Sequence, residues 1–166
     1  MNTESLGKFF LQELNTEITA TRKCLERIPE SLFGWKPHEK SMQLGYLVLL
    51  IAKMPKWITE TIEKSVIDFA TFKHFQPKNN AELVNHFDEN IKGVKNALRK
   101  VTNEELSENF YLKNNGVEIY SSPKDETISS TINHWVHHRG QLTVYMRLNN
   151  IPVPSIYGPT ADEKVF

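Results

Sequence analysis

The sequence predicts an all-α four-helix bundle, on three observations. Apolar residues recur at gaps of three and four in four separate stretches, which is the signature of amphipathic helices. Chain breakers are few, with 7 glycines and 8 prolines in 166 residues, below the usual combined share of roughly 12%. No repeat, low-complexity tract or linker divides the chain. At a typical scale of roughly 150 residues per domain, the length predicts a single domain over 1–166.

The first helix is expected from about Thr3 to Ile28, with Leu6, Phe10, Leu14, Ile18, Thr21, Leu25 and Ile28 on one face. Pro29-Glu30-Ser31 and Trp35-Lys36-Pro37 then mark a turn-rich connection. The second helix is expected from about Ser41 to Lys64, on Leu44, Leu47, Ile51, Met54 and Ile58. Pro55 lacks an N–H and crowds the preceding turn, so a kink is expected there. The third helix starts near Asn80, where Asn79 and Glu82 have capping-box spacing, and its stripe runs from Leu83 to Val101. Thr102 with Glu105 repeats that spacing and predicts one extra turn. Asn114-Asn115-Gly116 is a turn signal, and Gly116–Tyr120 has weak strand character. The fourth long helix begins after Ser122-Pro123, with Ser as cap and Pro at the first helical position, and runs to about Asn149. The connections 65–79 and 102–122 are expected to pack over one end, with Phe69, Phe72 and Phe75 covering the core. A Pro-rich tail, about 151–166, is expected to run extended along the surface, with Val153, Ile156 and Tyr157 covering a groove or meeting a second subunit.

Composition narrows the function classes. Lys plus Arg equals Asp plus Glu at 20 each, which removes the broad attraction on which non-specific nucleic-acid binding depends. The basic run Lys92, Lys95, Arg99, Lys100 reads as a solvated helix face beside Glu89. Cys24 is the only cysteine, which favours a reducing compartment and excludes an internal disulfide. The longest apolar stretch, Leu44–Ala52, is too short to span a bilayer, and the start of the chain lacks the apolar core of a signal peptide. A cytoplasmic protein without membrane attachment is expected.

The densest chemistry lies in His134-Trp135-Val136-His137-His138-Arg139-Gly140-Gln141-Leu142. At about 100° per residue, His134 and His138 lie roughly 40° apart on the helix, and Gln141 and Tyr145 share their side. The pair is expected to point inward among Trp135, Leu142 and Leu148. Arg139 also falls on the apolar side, and so needs a buried or intersubunit partner. Two imidazoles one turn apart make half of a site for zinc, nickel, copper or iron; a third donor must come from another helix. The alternative is a pair of hydrogen-bonded core histidines. His38, His74 and His86 read as surface or packing residues, Cys24 as buried and inert, and Trp35 and Trp57 as packing anchors able to reach a pocket mouth.

The histidine segment, the following Tyr145-Met146-Arg147-Leu148 and the tail Ile151-Pro152-Val153-Pro154-Ser155-Ile156-Tyr157-Gly158-Pro159-Thr160-Ala161-Asp162-Glu163 resemble the C-terminal part of the DinB/YfiT-like family. Thr21–Pro29, Trp35–Gly45 and Met54-Pro55-Lys56-Trp57 resemble its first two helices. The resemblance implies an up-down-down-up bundle, usually a homodimer, with a divalent metal on three histidines. His134 and His138 occupy two of these positions. Ungapped alignment puts Leu50 at the third, and leucine offers no lone pair. Two readings stand. In one, the chain is a degenerate member that binds a small molecule or regulates as a dimer through its first and fourth long helices, with Arg139 as a possible intersubunit partner. In the other, it is a metal-dependent transferase or hydrolase, of the thiol S-transferase kind, whose site is completed by water, substrate, Glu13 or Glu17. Gln141, Tyr145 and Leu50 are the candidate substrate-pocket residues.

Overall fold

The computed structural model describes residues 5–71 and 75–164. It is mostly helical, and its four long helices α1 (Leu6–Glu26), α2 (Leu44–Lys64), α3 (Asn80–Lys100) and α5 (Lys124–Leu148) share one apolar core. Leu14, Leu25, Leu47, Ile51, Leu83, Phe87, Val94, Ile128, Ile132, Trp135 and Leu142 are fully or almost fully buried there. Burial contributes about 1.5–3 kcal/mol for each large apolar side chain, so this stripe-to-stripe packing dominates stability. The residues expected to carry the α1 stripe do so from Phe10 to Ile28, whereas Leu6 is exposed at its end. Thr3, where that helix was expected to begin, lies outside the described residues.

Local signals set the helix ends. The Asn79 side chain accepts from Glu82 N at α3, while the Glu82 carboxylate reaches one residue further back, to Lys78 N. At α4 (Asn103–Ser107) both halves of the Thr102/Glu105 capping box form. The α5 start differs from expectation by one residue. Pro123 is itself the cap, and the Ser122 hydroxyl meets Thr127 Oγ1 and the Pro123 carbonyl instead of the first-turn amides. At its other end, Asn150 takes φ 56° while Ile151 N donates to Met146 O and Asn150 N to Arg147 O, a Schellman closure ending on two buried apolar side chains.

A small sheet corrects the all-α expectation. Strands β1 (Val66–Asp68), β2 (Asn109–Asn114) and β3 (Val117–Pro123) pair in that order, β1–β2 parallel with Val66 opposite Tyr111, and β2–β3 antiparallel with Phe110 opposite Ser122. Asn115 and Gly116, at φ 52° and 77°, make the two-residue turn that such hairpins favour. The Asp68 carboxylate holds this tip by accepting from Ala70, Asn115 and Gly116 amides, and these bonds keep its pKa below the ordinary range. The strand signals are weak because β1 is three residues long and Val117 and Ile119 on β3 face solvent, so little burial alternation marks the segment.

The tail also departs from an extended path. Thr160 Oγ1 donates to Val153 O, Thr160 N to Glu163 O, and Val153 N to Asp162 Oδ2, folding residues 153–163 back on themselves. Ion pairs Arg27–Glu163 and Arg147–Asp162 fasten this fold to α1 and α5. Arg139 is fully buried and finds its partner inside the chain: Nη1 meets Glu17 Oε2 at 2.5 Å, and Nη2 donates to the Tyr157 hydroxyl, which in turn donates to Glu17. This cluster removes Arg139 as an intersubunit contact. It also brings Glu17, which lay beside the apolar stripe in sequence, into the core. Tyr157 closes the cluster with its hydroxyl, and the Arg139 guanidinium also lies over its largely exposed ring, 5.2 Å from the centroid.

Among the described residues no helix is long and apolar enough to cross a membrane.

Candidate functional site

Two helical stripes face each other beside the sheet. On α2 the residues Leu50, Lys53, Met54 and Trp57, with Tyr46 one turn earlier, lie on one side. On α5, Thr127, Ser130, Thr131 and His134 have the same three-and-four spacing. Phe110, Leu112 and Tyr120 close the space from one face of the sheet, with Phe69 just beyond β1. The result is a cavity of about 570 Å³, within the range of small-molecule sites. Trp57 and Phe69 stand with ring centroids 5.9 Å apart. Lys53 is half-buried, and burial pushes its ammonium pKa down. Among the described residues, no aspartate or glutamate lines this cavity.

His134 and His138 are joined at the edge of the same space. Their Nε2 atoms lie 2.7 Å apart, and His138 Nδ1 lies 2.7 Å from Gln141 Oε1. An amide oxygen accepts, so the His138 proton sits on Nδ1, its Nε2 accepts from His134 Nε2–H, and a lone pair is left on His134 Nδ1. His138 is buried, as expected. His134 corrects the inward placement of both rings: it lies exposed at the rim, where partial burial and then the neighbouring His138 and His137 lower its pKa. Leu148 is likewise exposed and forms no wall around the pair.

The donor set does not suit the three-histidine metal centre that the resemblance implies. The two facing nitrogens, 2.7 Å apart, hydrogen-bond to each other and supply at most two donors. Leu50 faces the same cavity from α2, with only aliphatic carbon to offer. Glu17 is engaged by Arg139, and Glu13 lines no part of the cavity. Among the described residues, no three His, Cys, Asp or Glu side chains converge on a metal-sized space.

Of the expected pocket residues, Leu50 lines this cavity, and Gln141 and Tyr145 do not. Gln141 serves His138, and Tyr145 donates to Met42 O and packs edge-on against Trp35, tying the end of α5 to the connection before α2. Trp57 does line the cavity, and Phe69 belongs to its wall instead of the core. Phe72 and His74 lie outside the described residues. His86 is half-buried and stacked on Phe75 at 4.0 Å, and Cys24 is buried with its thiol pushed up to about 11, an inert group. Sequence reading missed Lys53, although its place one turn after Leu50 on an otherwise apolar stripe was a usable signal.

A model of the DinB family matches residues 1–164, and the chain belongs to that family. The uncharacterized protein YrdA of Bacillus subtilis strain 168 is 46% identical over 41 residues, 25% of this chain and 25% of that protein. The chain therefore spans only about a quarter of that curated relative in the matched stretch. Among solved structures, a DinB-like protein (YjoA) from Bacillus subtilis superposes with a TM-score of 0.70 at 17% identity, over 93% of this chain and 99% of that one. A DinB-like protein from Bacillus cereus gives 0.68 at 21% identity, over 89% and 95% of the two chains. At these identities the likeness concerns the fold.

Proposed function

We propose that this protein is a degenerate DinB-family member, a metal-independent small-molecule binder whose remaining histidine pair has closed on itself. The observation that carries the reading is the 2.7 Å Nε2–Nε2 bond between His134 and His138 beside the aliphatic Leu50. An apolar side chain at the third position raises the cost of placing a divalent charge there, and the two imidazoles already satisfy each other. The cavity next to the pair supplies the binding function.

The alternative, a metal-dependent transferase or hydrolase, needs a third donor, and the commitment of Glu17 to Arg139 withdraws one candidate. Zinc and nickel titrations on untagged protein decide between them. Submicromolar stoichiometric binding by the native chain overturns the proposal. Weak binding that becomes tight in Leu50→His supports it.

The reading includes a single domain arranged as an up-down-down-up bundle. Asn80 bonds to Leu25 and Ile28 carbonyls at the start of α3, Gly7 faces Leu98, and Tyr145 reaches Met42, which support those helix directions. A cytoplasmic homodimer completes it, supported by exposed Phe9 on α1 and Val144 on α5. A monomeric mass by light scattering at micromolar concentration overturns the dimer.

A further inference from the structure

We propose that the cavity between α2, α5 and the sheet takes a small aromatic carboxylate, with the ring against Trp57 and Tyr120 and the carboxylate on the Lys53 ammonium. The inference rests on the metal-independent reading above and names its ligand class.

Three observations lead to it. The volume of about 570 Å³ accommodates one or two fused rings with a short side chain, not a nucleotide-sized polyanion with its hydration. The walls are aromatic: Trp57 and Phe69 meet at an interplanar angle of 41°, and Phe110 and Tyr120 project from the same face of the hairpin. Rings of this kind favour offset or edge contacts with a flat guest. The third is charge. Among the described residues, Lys53 is the one ammonium on the wall, and no carboxylate lines the cavity to balance it. An ammonium drawn partly out of water on a wall without counter-charge favours an anion that brings its own. A single lysine matches the monoanionic charge of a carboxylate; a phosphate dianion is better held by several donors or an arginine fork.

The test uses the full chain and indole-3-acetate as probe, followed by tryptophan fluorescence and isothermal titration, once in a chelator and once with added zinc. Indole-3-acetamide and butyrate are the comparison compounds, the first without charge and the second without a ring. Saturable binding of indole-3-acetate in chelator, at least roughly tenfold tighter than either comparison compound, is expected. Lys53→Met should weaken the acetate by roughly tenfold and leave the acetamide unchanged. Tyr120→Ala, at a wall residue that is itself 47% exposed, should weaken both and preserves a testable fold should the Lys53 variant be unstable. Equal binding of acetate and acetamide, or no saturable binding with or without zinc, overturns the ligand assignment and leaves the metal-independent reading standing. Binding seen only with zinc overturns both.

Discussion

Trp135 Nε1 donates to Ile51 O at 3.1 Å, and Ile51 is the residue whose carbonyl Pro55 cannot serve. A proline inside a helix removes the bond to the carbonyl four residues back, and leaving that oxygen bare in a core costs about 1–3 kcal/mol. Here an indole from the facing helix supplies the donor, and α2 continues through Pro55 to Lys64. Asn90 Nδ2 donates in the same way to the next carbonyl, Ala52 O.

Trp135→Phe should therefore destabilise by about 2–4 kcal/mol, from the lost packing and the bare carbonyl together. In a Pro55→Ala background the helix supplies its own N–H, so the penalty should shrink by about 1 kcal/mol or more. Urea unfolding of the four proteins measures this coupling; strict additivity would refute it.

The buried Arg139–Glu17 pair carries a second expectation. Removing one partner strands the other charge, so Glu17→Gln and Arg139→Met should each cost about 3–5 kcal/mol, with the double variant costing less than the sum. Tyr157→Phe removes only the hydroxyl between them and should cost about 1–2 kcal/mol. Thermal unfolding read at both helices and tail would show a smaller loss throughout if the cluster were solvated.

Gly7 sits where α1 crosses α3, and a Cβ there would lie 2.5 Å from Leu98 O. Backbone cannot yield as a flexible side chain does. Gly7→Ala should destabilise despite the better helix propensity of alanine, by about 1–3 kcal/mol. Gly140→Ala, which meets nothing within 4 Å in mid-helix, should stabilise by about 0.5–1 kcal/mol. Opposite signs in chemical denaturation are the readout.

The pH dependence should have two separate windows. Burial first, and then Lys56 and Lys53, lower the His86 pKa, so the folded chain resists a proton that the unfolded chain accepts. That contribution is present above about pH 6.5 and is lost as pH falls through the lowered value. Asp162 and Glu163, lowered by Arg147 and Arg27, contribute above about pH 4.5 and lose it below. His86→Phe should keep the stack on Phe75 and shrink the upper window, leaving the share that His134, lowered in the same direction, contributes. Denaturation midpoints that do not change between pH 7.5 and 5 in the native chain would contradict this.

Sequence periodicity made the four long helices legible, and side-chain chemistry made their caps legible at Asn79 and at Thr102 with Glu105. These signals are local, operating within one turn. The sheet was not legible, because β1 finds β2 only after α3 intervenes and the outer face of the hairpin stays wet. Arg139 announced a need for a partner, but Glu17 lies 122 positions away, beyond any local pattern. The histidine pair lies on the helix that the spacing indicated, but its closure on itself was not legible. The outward lie of His134 depends on the open space beside α5, which only the sheet and α2 together create.

The parallel pairing of Val66 with Tyr111 has a kinetic consequence. A hairpin closes within microseconds, but its third strand must wait until the intervening helix has docked, because loop closure over that distance is entropically costly. The cavity wall should therefore be among the last parts to mature, and probe binding during refolding should lag behind the recovery of helical signal.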